Sequence, residues 1–197
     1  MVLATLPLGM ASAQAPKKAA GTSGAGTKPA AAQPAAAHRA NELTMAGLRP
    51  GRDTVKRALA LYQKYLDAKA SGEQTVLVDE CRNQTLTIDV DAGKKIQVLR
   101  VDGIVPPKDV CEKPAPGPWK TGLGLRVGDR AAKVSQLYGE PDSKSPSSRA
   151  GRQLELWYYA FEWAGPDVPQ VMEVLCTRGK EGEPAEVVEI TLAAPSL

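Results

Sequence analysis

Two stretches of the chain carry the same short phrase, Gly-Leu-Arg-x-Gly. The first begins at Gly47 and the second at Gly124. After each phrase come an apolar pattern with helical spacing and three short runs rich in Val, Ile, Leu and Thr. The doubled phrase therefore predicts an α+β fold made of two tandem repeats, each with one helix followed by a three-stranded antiparallel sheet.

Each predicted helix begins at an aspartate. Asp53 precedes a helix predicted over 54–70, and Gly72 provides its stop. Asp129 precedes a shorter helix, which Gly139 ends. We expect both aspartates to accept hydrogen bonds from the free N–H groups of the first helical turn.

The strand runs alternate apolar and polar residues, which is typical of a sheet with one covered face. In the first unit they are TVLVDEC, TLTIDV and KIQVLRV, and in the second LELWYYAFEW, VMEVLCT and EVVEITL. Each unit is close to the lower size limit for an independent core. An alternative arrangement is one fused six-stranded sheet with both helices on one face.

The residues before Asn41 differ in composition from the rest. An apolar run with small residues after it predicts a signal peptide over 1–13. Residues 14–40 are mostly Ala, Pro, Gly and Ser, which predicts a disordered linker. Its basic side chains could make weak contact with an anionic cell envelope. These are Lys17, Lys18, Lys28 and Arg39. The remaining boundaries are a first repeat over 41–105, a Pro-rich connector over 106–122 and a second repeat over 123–197. No run is long enough for a membrane span.

The three cysteines are Cys81, Cys111 and Cys176. In an exported protein two of them are expected to pair. Cys81 and Cys111 are the predicted disulfide, because both fall in the first repeat and its exit loop. Cys176 would then be a small buried apolar residue.

The second repeat resembles a superfamily that holds the small outer-membrane assembly lipoproteins (the SmpA/OmlA group) and the β-lactamase inhibitory proteins. The residues that carry the resemblance are Gly128, Val134, Leu137-Tyr138-Gly139, Pro141-Asp142 and the aromatic run 157–159. The first repeat keeps Gly51, Val55 and Leu61-Tyr62 but lacks the Gly-x-Pro exit. The resemblance implies helices packed on an antiparallel sheet and a role in binding another protein.

The sequence contains no recognisable set of catalytic residues or metal ligands. The one histidine, His38, lies in the predicted linker, and there is no Cys-x-x-Cys. The predicted strands contain many glutamates, but glutamate is common on the solvent-exposed face of a strand and does not by itself indicate catalysis. We therefore expect no enzyme activity, no cofactor and no metal. Basic and aromatic residues do not interleave, so we expect no nucleic-acid binding.

The strand LELWYYAFEW carries the candidate binding residues. Trp157, Tyr159, Phe161 and Trp163 share one face. This face either packs against the first repeat or forms a contact surface for a protein partner. The predicted function is an exported, periplasmic or secreted, non-catalytic protein-interaction module, envelope-associated or inhibitor-like. The alternative is a small-ligand carrier or small enzyme with a pocket between the repeats.

Overall fold

The chain folds around a single antiparallel sheet of eight strands. A computed structural model describes residues 39–103, 117–179 and 184–195. The elements are α1 (Val55–Tyr62), β1 (Asp67–Ser71), β2 (Gln74–Asp79), β3 (Gln84–Val90), β4 (Ile96–Asp102), α2 (Ala131–Tyr138), β5 (Ser143–Arg149), β6 (Arg152–Ala160), β7 (Val171–Thr177) and β8 (Val187–Ala193). Across the sheet the order is β1-β2-β3-β4-β8-β7-β6-β5.

One face of the sheet forms the core together with both helices. The strand register aligns one residue from each strand across this face, and directly opposed residues share a face. In sheet order these residues are Ala68, Leu77, Leu86, Val101, Ile190, Val174, Trp157 and Lys144. The six between the two edge strands are buried, and Ala58, Tyr62, Ala131, Val134 and Tyr138 of the helices belong to the same cluster. The α+β content expected from the sequence is therefore confirmed.

The doubled phrase makes the same backbone bonds in both places. Gly51 N–H donates to the Ile96 carbonyl at 2.7 Å, and Gly128 N–H donates to the Val187 carbonyl at 2.8 Å. Ile96 and Val187 are the first residues of β4 and β8. The phrase thus ties the start of each helix to the strand that lies at the middle of the sheet.

The two aspartates do not cap the helices as expected. The residues at the helix starts are Thr54 and Arg130, and neither makes a side-chain capping bond. Asp53 instead accepts from the Arg49 N–H at 2.9 Å. Asp129 accepts from the Arg126 N–H at 2.8 Å. Each carboxylate therefore closes the turn that precedes the helix rather than the first helical turn.

The predicted fold class, two repeats that each carry a three-stranded sheet, is wrong. Each helix is followed by four strands, and β4 pairs with β8 so that all eight strands form one sheet. Val101 lies opposite Ile190 in that pairing. Joining the sheets at these apolar strands removes two exposed edges, each of which would otherwise present unpaired N–H and C=O groups. The alternative of one fused six-stranded sheet correctly joined the two units into a single sheet, but it had two strands too few.

The two unpredicted strands, β1 and β5, have the sequences DAKAS and SKSPSSR. Neither contains a large apolar residue, so neither shows the alternation by which strands are recognised. Part of β1 was predicted as helix, because the apolar spacing continues to Leu66. The helix instead ends at Tyr62, whose hydroxyl donates to the Ala46 carbonyl in the core. Tertiary contacts here override the helical pattern.

The resemblance to the outer-membrane assembly and β-lactamase inhibitory proteins is wrong for the same reason. It implied a tandem unit of a helix and its own sheet, whereas the chain forms one eight-stranded sheet with two helices. A motif of about twenty residues around a helix end mainly records the local turn. It does not determine how strands pair far from that turn.

The predicted signal peptide and all but the last two residues of the predicted linker lie outside the described residues. The described residues belong to one compact unit. Within the described parts of the chain, no helix is long and apolar enough to cross a membrane.

Candidate functional site

A buried carboxylate fixes the segment that precedes the first phrase. Glu42 is 1% exposed, and its hydrogen-bond partners among the described residues include no basic side chain. Its two oxygens accept from the N–H groups of Leu43 (2.9 Å), Thr44 (3.0 Å), Gly122 (2.9 Å) and Leu123 (3.0 Å) and from the Tyr138 hydroxyl (2.6 Å). Five donors replace the water that a buried carboxylate loses. Glu42 therefore joins the N-terminal segment to the turn before α2 and to α2 itself.

The Tyr138 hydroxyl extends this buried network. It lies 2.7 Å from the Thr121 hydroxyl as well as 2.6 Å from Glu42. Burial, and then the bond to the Glu42 carboxylate, raise the pKa of Tyr138 far above its usual value. Tyr138 therefore stays a neutral donor, which is the form that Glu42 needs.

Two leucines whose backbones contact Glu42 have exposed side chains. Leu43 is 41% exposed and Leu123 is 42% exposed, although the backbone N–H of each donates to the Glu42 carboxylate. Their backbones are thus held close together while their side chains face outward. Lys133 strengthens the second turn, since its Nζ donates to the Gly124 carbonyl at 3.0 Å.

Trp163 lies beside the same N-terminal segment. The Asn41 side chain donates to the carbonyl of Glu162 at 2.8 Å, one residue before Trp163. Trp163 is 58% exposed. We call the exposed side chains of Leu43, Leu123 and Trp163 the N-terminal patch, because each residue either bonds to Glu42 through its N–H or directly follows the residue that bonds to Asn41. Among the described residues only five large apolar side chains are exposed, and three of them form this patch; the other two are Leu61 and Tyr65.

Arg39 anchors the start of this segment, although the sequence places it in the linker. Its guanidinium donates to the Tyr138 carbonyl at 3.0 Å, to Asp142 at 2.6 Å and to the Glu140 carbonyl. It also lies 4.8 Å from the centre of the Tyr159 ring. The Ala160 N–H bond and then Arg39 lower the pKa of Asp142. The Gly-x-Pro-Asp segment that follows α2 thus supplies groups that bind the Arg39 side chain.

The predicted aromatic stripe is mostly core. Trp157 is 8% exposed, Tyr159 0% and Phe161 7%, so only Trp163 of the four predicted contact residues faces solvent. Trp157 is also covered by Lys144, whose Nζ lies 4.0 Å from the ring centre. The stripe does not form one exposed surface, because β6 has its core face under the helices. The binding role of Trp163 stays a prediction.

Two of the three cysteines lie among the described residues. Cys81 lies in the turn between β2 and β3. Cys176 is a free thiol in the core, as predicted, and burial raises its pKa to about 12. Cys111, the predicted partner of Cys81, lies outside the described residues, so the Cys81–Cys111 pairing stays a prediction.

Two further groups of polar side chains bear on the sequence predictions. In the described parts of the chain no three His, Cys, Asp or Glu side chains are grouped to hold a metal ion, and His38 lies outside them. Two basic side chains near the start of α1 have partners within the protein. Arg49 donates to the Asp167 carbonyl at 2.8 Å and Arg57 lies 3.4 Å from Asp53.

The residues that sequence reasoning missed are Glu42, Leu43 and Leu123. All three lie outside periodic segments, so no pattern distinguishes a buried acid or an exposed leucine there. The one available signal is that a leucine precedes each Gly-Leu-Arg-x-Gly sequence, Leu43 before Gly47 and Leu123 before Gly124.

No protein family matches the sequence, and no curated protein matches it. Among solved structures, the chain is similar to a cysteine-rich secretory protein from Staphylococcus aureus. The two share 10% sequence identity with a TM-score of 0.39, over 80% of this chain and 47% of that protein. The chain therefore spans about half the length of this structural neighbour.

Proposed function

We propose that the chain is an exported, non-catalytic protein-interaction module and that it binds its protein partner through the N-terminal patch. The observation that carries this proposal is the exposure of Leu43, Leu123 and Trp163 beside a segment that Glu42 holds rigid. Large apolar side chains gathered at one place on a surface are a common mark of protein contact sites.

The rigidity of the patch favours binding. Leu43 and Leu123 extend from backbone that a five-donor carboxylate fixes, so little conformational entropy is lost there on association. Trp163 supplies the kind of side chain that dominates binding energy at interfaces. The expected partner surface is an apolar hollow that can accept an indole ring and two leucine side chains.

Export rests on the pattern at the start of the sequence and on Cys81. Disulfides persist in oxidising compartments and are rare in the cytosol. The predicted disulfide at Cys81 would fit a periplasmic or extracellular location for the module and its partner. The module and its partner would then lie in the same compartment.

Site-specific photocrosslinking tests the proposal. A photoreactive amino acid is placed at Leu123, and the full chain is exposed to envelope and secreted fractions of its source cells. We expect a discrete crosslinked product, and we expect Trp163→Ala or Leu43→Asp in the same chain to abolish it. Truncating an interface anchor of this kind costs about 2 kcal/mol or more of binding free energy.

Leu61→Asp is the matched control. Leu61 is 40% exposed, close to the values for Leu43 and Leu123, but it lies on α1, to which none of the patch residues belongs. Capture should be unchanged in this variant. If Leu61→Asp reduced capture as much as Leu43→Asp, or if no product formed at any patch position, binding through the patch would be refuted.

A further inference from the structure

The two edges of the sheet are protected to different degrees. β5 forms one edge and carries Pro146, which has no N–H to offer a further strand. β1 forms the other edge; it has no proline, and all five of its residues are exposed. Edge strands with free N–H and C=O groups are templates for pairing with another chain. β1 is therefore the edge that can pair with a further strand.

The hairpin between β1 and β2 determines which groups β1 presents. Ser71 pairs with Gln74 across a two-residue turn, and Gly72 in that turn has φ of 60°. Residues that flank such a turn bond to each other, and the bonded positions alternate along the strand. Asp67, Lys69 and Ser71 thus bond to β2, whereas Ala68 and Ala70 direct their N–H and C=O groups away from the sheet.

We propose that β1 pairs with β1 of a second copy of this chain, antiparallel and about a two-fold axis through Ala68. In this register Ala68 lies opposite its own counterpart, as an isologous interface requires. Asp67 of each copy lies opposite Lys69 of the other copy, on the face of the sheet away from the core. The neighbouring symmetric register, centred on Lys69, would place two lysines opposite each other and is disfavoured.

Apolar surface next to β1 extends the interface. Leu61 at 40% exposure and Tyr65 at 37% are the two exposed large apolar side chains outside the N-terminal patch in the described residues, and both lie just before β1 in sequence. In the proposed register Tyr65 falls opposite Ser71 of the second copy. Lys64, with its Nζ 4.5 Å from the Tyr65 ring centre, already covers part of that ring. The paired edge therefore combines backbone bonds, two ion pairs and the Tyr65 side chains.

Sedimentation velocity of the full chain over a wide concentration range tests this inference. We expect a monomer–dimer equilibrium that weakens at high salt, because exposed ion pairs are screened. Lys69→Glu places Glu opposite Asp67 twice and should raise the dimer dissociation constant by about tenfold. The double variant Asp67→Lys, Lys69→Glu exchanges the two charges and should restore dimerisation. Lys56→Glu makes the same charge change at an exposed position on α1 and should have no effect.

Two results would overturn the inference. One is a chain that stays monomeric at every concentration. The other is a double variant that dimerises no better than Lys69→Glu, since only the register centred on Ala68 predicts rescue. The N-terminal patch is tested separately, because Leu123→Asp should abolish partner capture and leave the dimer intact.

Discussion

At the scale of single residues, the fold depends on polar groups that are buried and fully bonded. Glu42 is the clearest case, because a carboxylate at 1% exposure is satisfied by four N–H groups and one hydroxyl. The donors come from the N-terminal segment, from the turn before α2 and from α2 itself. A defect at Glu42 therefore affects both stability and the proposed binding surface.

Replacing Glu42 by Gln keeps the shape of the side chain but exchanges one acceptor oxygen for a donor. The new amide N–H₂ would face N–H donors of the turns or the Tyr138 hydroxyl, so at least one buried group loses its partner. We expect the free energy of unfolding to fall by about 2–3 kcal/mol in urea denaturation. Glu140→Gln is the control, because the Glu140 side chain is 79% exposed and should tolerate the change. Equal stability of Glu42→Gln and the wild type would contradict the network.

The lowered pKa of Asp142 predicts how the stability of the protein changes with pH. The Ala160 N–H bond and the Arg39 guanidinium place its folded-state pKa below the ordinary value of 3.8. The charged carboxylate thus stabilises the fold fully above that value, and the contribution is lost as pH falls through the folded-state pKa. Asp142→Asn should therefore lose less stability than the wild type between about pH 4 and pH 2.

The measurement for Asp142 is the urea midpoint as a function of pH. Asp167→Asn is the matched control, because Asp167 is 59% exposed and lies 3.8 Å from Lys95. That variant should keep the acid dependence of the wild type. Parallel curves for Asp142→Asn and the wild type would show that the Arg39 contact does not depend on the Asp142 charge.

At the scale of elements, the two copies of the Gly-Leu-Arg-x-Gly phrase form nearly the same turn in different surroundings. Gly51 and Gly128 have φ of 81° and 89°, a region that favours glycine. A Cβ at Gly51 would lie 2.7 Å from the Pro166 carbonyl oxygen, whereas a Cβ at Gly128 would have no atom within 4 Å. The first turn is packed against the 166–167 loop and the second is open.

This difference makes the two glycines a matched pair. Gly128→Ala should destabilise by about 1 kcal/mol, the cost of a left-handed conformation for alanine. Gly51→Ala adds a clash with backbone that cannot rotate away, so its cost should be larger by at least about 1 kcal/mol. Thermal or urea unfolding of the two variants decides the question. Equal losses would show that the 166–167 loop yields without cost.

The sequence predicted the elements that have an apolar face and missed those that do not. β2, β3, β4, β6, β7, β8 and α2 follow from apolar spacing. β5 could not be found from SKSPSSR, because an edge strand that is exposed on both faces needs no apolar residue. The same limit applies to the patch. Leu43 and Leu123 have no distinguishing feature in the sequence until the fold brings the backbones of both to Glu42.

At the scale of the whole molecule, the pairing of β4 with β8 was the decisive unknown. Both strands were predicted as members of separate sheets, and their composition is consistent with an edge or a central position. Pairing between distant strands depends on register and on competing edges, which local patterns do not encode. The error in fold class therefore has two sources, the contact between β4 and β8 and the unpredicted edge strands β1 and β5.

That central contact also bears on how the chain reaches its native state. Val101 and Ile190 face each other in the sheet although they are about 90 residues apart in sequence. The hairpins at the two ends of the sheet can form locally within microseconds. Joining β4 to β8 must first close a long loop, which slows folding as mean contact separation rises. Until it closes, the chain exposes two apolar strand edges at once, and this interval is when a newly made molecule is most open to aggregation.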